Sequence, residues 1–213
     1  MSVAGSSVVV SESLKLLGVT FDGTMSFDKH VSSVVRACNF HMSGLRHFRS
    51  LVSDEVAHRI TCSIVSSRLD YCNSLLLNCS NRNLDKLQRM QNNLAHVICN
   101  SSHLTPAEPL LRSLHWLSVC QRINYKLANL CYLAISRHQP VYLAPLIRPH
   151  SHSHSLRSST QSLVSVPPHN IDIAARCFSV TAPRLWNSLP LSCWTAPSVN
   201  IFKNRLKTFL FSL

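Results

Sequence analysis

From Val31 to Phe48 the apolar positions fall every three or four residues: Val31, Val34, Val35, Cys38, Met42, Leu45 and Phe48. Lys29, Ser33, Arg36, Ser43 and His47 occupy the opposite side. That period predicts an amphipathic helix, with Ser26 as its N-cap. A second helix is predicted from Ser53, where Asp54 and Glu55 suit the positive end of the helix dipole. Its inward face is expected to be Val56, Ile60, Ile64 and Val65, leading toward Tyr71 and Leu75. A third is expected from about Asn83, with Leu84, Leu87, Met90, Leu94, Val97 and Ile98 inward and Lys86, Arg89 and Asn93 outward. Three such helices with short connections predict a small bundle.

The flanks carry different patterns. Leu14, Leu16, Leu17, Val19 and Phe21 suit a strand, and Asp22-Gly23 is a turn signal. Thr105-Pro106-Ala107-Glu108 has the form of a capping box with Pro at the first helical position. A further helix is predicted over Val119 to Arg137, stopping before Pro140. The segment 148–170, "RPHSHSHSLRSSTQS" and onward to Pro167-Pro168, is expected to be an exposed, mobile linker. Ser198 to about Phe211 closes the chain with Phe202, Leu206, Phe209 and Leu210 on one face. In "ARCFSVTAPRLWNSLP", Phe178, Val180, Leu185, Trp186 and Leu189 are expected to pack, with Pro183 and Pro190 bounding a short helix. The fold class expected is mainly α: a short β-hairpin (1–29), a helical bundle (30–103), a helical stretch (104–147), the linker (148–170) and a basic terminal segment (171–213). With only 4 Gly in 213 residues, helices are favoured over hairpins.

Charge changes the picture more than composition does. The net charge is +12, but residues 1–108 hold ten Lys/Arg against eight Asp/Glu, and residues 109–213 hold eleven against one, Asp172. A half with one acid cannot neutralise itself through internal ion pairs, which points to solvent, an anionic surface or a polyanion. The nine Cys are odd in number and form no C-x-x-C, so reduced cysteines and an intracellular, reducing compartment (nucleus or cytoplasm) are expected. No signal peptide is evident, and the apolar run near Leu130 to Ile135 is far below the ~20 residues of a membrane span.

The search for chemistry excludes more than it finds. The acids Glu12, Asp22, Asp28, Asp54, Glu55, Asp70, Asp85, Glu108 and Asp172 include no Asp-Asp or Asp-x-Asp pair for two-metal phosphoryl transfer. No catalytic residue, metal site or cofactor is expected. His150, His152 and His154 alternate without a partner Cys or Asp nearby, and no second ligand pair stands at zinc-finger spacing from Cys99/His103 or His115/Cys120. There is no Gly-rich phosphate loop. Basic residues with interleaved aromatics remain, as in Arg112, His115, Trp116, Arg122 and Lys126. That mixture suits nucleic-acid backbones and bases. It equally suits a helix surface with Trp116 in the core.

Several blocks are more idiosyncratic than packing alone requires. "LLGVTFDGTMSFDKHV", "SRLDYCNSLL", "LDKLQRMQNNLAHVI", "LHWLSVCQRINYKL", "VYLAPLI", "LRSS", "VP" and "ARCFSVTAPRLWNSLP", followed by "FKNRLKTFLF", occur in this order. Together they resemble the C-terminal part of the reverse transcriptase polyprotein of LINE-type (non-LTR) retrotransposons, of the Jockey and chicken-repeat group. The resemblance runs from about Leu14 to Leu210. It implies that Leu16 to Asp22 is the last palm hairpin, that the helices from His30 to Asn100 are the thumb against a template–primer duplex, and that residues after Leu104 form a domain that helps bind the element's RNA. Ser118 departs from the family, which commonly has Pro there. The family's metal-binding carboxylates lie upstream of this hairpin, so Met1 is expected to be an internal Met of a truncated copy or the edge of a gene prediction. The expected function is RNA or RNA–DNA binding without polymerase activity. Lys29, Arg36, Arg46, Arg49, Arg112, Arg122, Lys126, Arg176 and Arg184 are the candidate contacts, and self-association or docking of a palm is expected at the hairpin edge. A protein–protein interaction module, or transposon debris without a selected role, are the alternatives.

Overall fold

The computed structural model describes the chain except residues 1, 4, 5, 8–10, 151–162, 172 and 173; of residues 2, 3, 6 and 7 it describes the backbone. It is mainly helical, and it divides into two compact units: residues 1–72 with 79–119, and residues 73–78 with 120–213. Residues 104–119 fall in the same unit as the bundle.

The first unit begins with β1 (Ser2–Val3) paired to β2 (Ser6–Ser7), then a hairpin of β3 (Ser13–Leu16) and β4 (Val19–Asp22). The strand expected over Leu14–Phe21 is folded in two. Leu17 and Gly18 both have positive φ, 47° and 81°, as the two-residue turn of a hairpin requires. The Tyr71 hydroxyl donates to Leu17 O at 2.6 Å, and a Cβ on Gly18 would meet the Tyr71 ring at 3.5 Å. The Asp22-Gly23 signal serves another purpose. The Asp22 carboxylate accepts from the amides of Thr24, Ser26 and Phe27 and from the hydroxyls of Thr24 and Ser26. It thereby leads the chain into α1 (Asp28–Phe48), whose N-cap is Phe27 in the left-handed region, one residue after the expected Ser26.

Helix α1 buries Val31, Cys38, Met42 and Leu45 against α4 (Asn81–Ile98), which buries Leu87, Met90, Leu94, Val97 and Ile98. Each large side chain so buried contributes about 1.5–3 kcal/mol. Between them α2 (Asp54–Thr61) continues through one wider π turn, Cys62–Ser66, into α3 (Ser67–Asp70). Ser53 caps α2 as expected, accepting from Val56 N. The buried face is Ala57, Thr61, Val65 and Leu69, whereas Val56 is exposed and Ile60 and Ile64 are half-buried. Four-residue spacing is kept, but the helix is rotated so that smaller residues face inward. Helix α5 (Ala107–Ser113) starts with Pro106 at the N-cap and without a side-chain cap, so the capping box of Thr105 and Glu108 does not form; Glu108 pairs instead with Arg112.

The second unit holds α6 (Val119–Arg137), matching its predicted bounds, α7 (Phe178–Ser188), α8 (Leu191–Trp194) and α9 (Val199–Phe211). Its centre is aromatic. Tyr132 stacks on Phe202 at 4.3 Å between centroids, and Trp186 lies 6.0 Å from Phe202. The Tyr132 hydroxyl donates to Ala196 O, which satisfies the buried polar tip. Gln121 Nε2 donates to Leu210 O while Tyr132 reaches Phe202, so α6 and α9 run antiparallel. Pro183 lies inside α7 and is buried, rather than bounding it.

The described ends of the expected linker are held by hydrogen bonds. His152 and His154 lie outside the described residues. His150 N donates to Leu163 O and Ser165 N to Arg148 O, an antiparallel contact centred on Pro149 and Val164. Asn187 of α7 grips Val164 with both amide atoms, accepting from its N at 3.0 Å and donating to its O at 2.9 Å. Val164 is buried, so its packing and hydrogen bonds outweigh the local Ser/His/Pro signal.

Candidate nucleic-acid interface

The cations separate into those held by the fold and those left on helix faces. Lys29 and Arg36 are exposed and seven residues apart on one side of α1. Lys29 stands 4.0 Å from Glu12 and 3.5 Å from the Ser13 hydroxyl. Arg46 is exposed near the end of α1. Arg112 meets Glu108 through Nε and Nη2 at 3.2 and 3.1 Å, an exposed i, i+4 pair of small energetic weight.

Arg49 corrects the expectation of a solvated contact. It is buried, and its guanidinium donates to Val97 O, Ile98 O, Val52 O and the Asp54 carboxylate. Val97 and Ile98 end α4, where carbonyls lack partners in the helix and the dipole is negative. A five-donor planar group suits that end, so Arg49 closes the bundle rather than facing a ligand.

In the second unit Arg122 and Lys126 are four residues apart, so they share a face of α6; Arg122 is half-buried and Lys126 exposed. Lys203 and Lys207 share the same spacing on α9, with the Lys207 Nζ 5.8 Å from the Phe211 ring centroid. Because α6 and α9 are antiparallel, the turn carrying Arg122 lies at the same end as the turn before Leu210 that carries Lys207. Arg184 is exposed with Nη2 3.1 Å from His169 Nε2, and Arg176 is half-buried in the turn Ala174–Arg176. Lys203 and Lys207 belong with the candidate contacts although sequence reasoning omitted them. So does the run Arg82, Lys86, Arg89 on α4, in which Arg82 and Arg89 are exposed and Lys86 is half-buried. Their i, i+4, i+7 spacing was the available signal.

The carboxylates have structural tasks. Asp28 accepts from Asn83 at 2.7 Å, Glu55 pairs with Arg59 at 2.6 Å, and Asp22 organises its turn. Those hydrogen bonds, that from Ser26 N foremost, hold the Asp22 carboxyl at about 2, below its ordinary 3.8. Among the described residues no group of three or more His, Cys, Asp or Glu comes together as a metal site. All nine cysteines are free; burial pushes the Cys38 thiol up to about 11 and that of Cys131 to about 12, which keeps both protonated at neutral pH. Trp116 and Trp186 are both buried. Trp116 Nε1 donates to His58 Nε2 at 3.3 Å, so neither indole is presented as a stacking platform. No helix among the described residues is long and apolar enough to cross a membrane.

No protein-family model, no curated protein and no solved structure matches the chain.

Proposed function

We propose that this chain binds RNA or an RNA–DNA duplex, as a reverse-transcriptase-like segment of a LINE-type retrotransposon that itself carries no polymerase centre. The observation that supports it best is the second unit, where ten Lys/Arg stand against the single Asp172, and Arg122/Lys126 and Lys203/Lys207 line two antiparallel helices. Polyanion binding by such faces releases counterions and is steeply salt-dependent. With about five phosphates engaged on a single strand, the slope of log K against log salt is roughly −3 to −4. Filter binding of the full chain to RNA across a salt series tests this directly. Replacing Arg112, Arg122 and Lys126 together by Gln flattens the slope without unfolding the chain. A flat salt response in the parent protein counts against nucleic acid as the partner. No primer is extended on an RNA template in magnesium or manganese, and incorporation above a heat-killed control would overturn that part.

One observation favours a protein partner as the second reading. Leu14, Leu16 and Leu17 of the hairpin are 62%, 54% and 82% exposed, and among the described residues β3 pairs only with β4. A partner held there would be insensitive to salt, which separates the two readings in the same titration.

A further inference from the structure

We infer that a cleft at the C-terminal end of α4 in the first unit is a seat for one phosphate group, separate from the basic faces of the second unit. The cleft is about 310 Å³, at the small end of the range for ligand sites and ample for a phosphate group; its lining, not its size, argues for phosphate. Its lining includes Arg46, His96, Asn100, Ser101, Ser102 and His103, along with Arg49 and Val97. No carboxylate is among them.

The local fold builds this wall. Asn100 takes a positive φ of 47°, and Ser101 N donates back to His96 O at 3.0 Å while Asn100 N donates to Val97 O at 3.4 Å. This is the helix-ending pattern that reverses the chain with a left-handed residue. It returns Ser101 beside His96, where Ser101 Oγ stands 3.2 Å from His96 Nδ1. The end of a helix ordinarily repels anions, because its last carbonyls are negative. Here Arg49 already holds Val97 O and Ile98 O, so that obstacle is removed. Asp54, the acid beside this end, is paired with the same guanidinium. The side chains of Arg46 and His103 make no hydrogen bond or ion pair with another group among the described residues. What faces the cleft is one guanidinium, two imidazoles, an amide and two hydroxyls, a donor set for the oxygens of a phosphate.

The test uses the full chain and inorganic phosphate, followed through the imidazole resonances of His96 and His103, with chloride at equal ionic strength as the control. Saturable shifts of both rings with phosphate, and about tenfold or greater weakening in Arg46→Gln/His103→Gln, are expected from the loss of the guanidinium and of a ring donor. Both positions are exposed, so that variant keeps the parent melting curve; Arg46→Lys, which preserves the charge, retains part of the affinity. Two RNA octamers, with a 5′-phosphate or a 5′-hydroxyl, distinguish the source: preference for the phosphorylated one assigns a chain terminus, and equal competition assigns a backbone phosphate. Absence of saturable phosphate binding, or an unchanged affinity in the double variant, overturns the site. The salt slope of RNA binding by the parent chain is read in the same series. It judges the basic faces of the second unit independently of the cleft.

Discussion

In the first unit eleven Lys/Arg stand against eight Asp/Glu; in the second, ten against one. The first ties charges into its architecture. Lys29–Glu12, Arg49–Asp54, Arg59–Glu55 and Arg112–Glu108 are paired, Arg49 caps α4, Asp22 leads into α1, and Asp28 with Asn83 joins the starts of α1 and α4. The second rests on a buried aromatic cluster of Tyr132, Trp186 and Phe202 and leaves cations on helix surfaces. Both solutions stabilise a helical unit of similar size. Only the second leaves a field unopposed by its own acids, and that is the physical ground for expecting a polyanion there.

The sharpest way to break the comparison is to remove the centre of the second unit. Phe202→Ala deletes a fully buried ring from the stack and is expected to destabilise that unit by about 3–5 kcal/mol. Hydrogen exchange should then rise in α6, α7 and α9 while α1 and α4 keep their protection. Equal loss in both units would mean that they fold as one.

The counterpart in the first unit is Arg49→Gln, which leaves the carbonyls of Val97 and Ile98 without their charged donor. A loss of about 1.5–3 kcal/mol in urea unfolding is expected, the range for hydrogen bonds to charged groups. A variant as stable as the parent would return Arg49 to the solvated contacts.

Charge is tested next. Arg122→Gln, Lys126→Gln, Lys203→Gln and Lys207→Gln together should weaken RNA binding about tenfold or more and flatten the salt slope by roughly 3. Arg82→Gln, Lys86→Gln and Arg89→Gln on the balanced unit should change the slope less. The reverse ranking would move the interface to the first unit.

Acid should separate the units most gently. Asp22 titrates at about 2 in the fold against an ordinary 3.8, so its contribution is complete above about pH 4 and is lost as pH falls through the folded value. Burial also holds the His30 imidazole below its ordinary 6.5. Its protonation opposes the fold, and stability of the first unit starts to fall as pH drops through the ordinary imidazole range. Asp22→Ala costs about 0.5–2 kcal/mol at neutral pH, as for a lost cap, and makes the melt less dependent on pH between 5 and 2.5. An unchanged pH profile in that variant would remove Asp22 from the account.

Helix existence was legible because burial of an apolar stripe needs a 3.6-residue period. The bounds of α6 and most of the buried stripes of α1, α4 and α9 followed from it, Phe48 at the end of α1 being exposed, and Ser53 was readable as a cap from its acidic neighbours. Failures came where a polar group met a distant backbone. Nothing near Arg49 in sequence announces that residues 97 and 98 need a donor, and nothing near Asn187 announces the backbone of Val164. The turn at Leu17-Gly18 was marked only by a change of phase between Leu16 and Leu17 and by Gly18, weaker signals than Asp22-Gly23. Candidate contacts on helix faces were readable from charge and spacing, whereas the cleft at His96 needed the chain reversal at Asn100.

The sequence by itself determined a helical chain and a +12 charge gathered toward one end, with no Asp-Asp or Asp-x-Asp pair. These depend on composition and on periods within about ten residues. Only the tertiary structure decided which cations are internal, where one unit ends and the next begins, and how residues 163–165 are held. Those outcomes depend on hydrogen-bond partners and packing separated by tens of residues, whose burial no local period encodes.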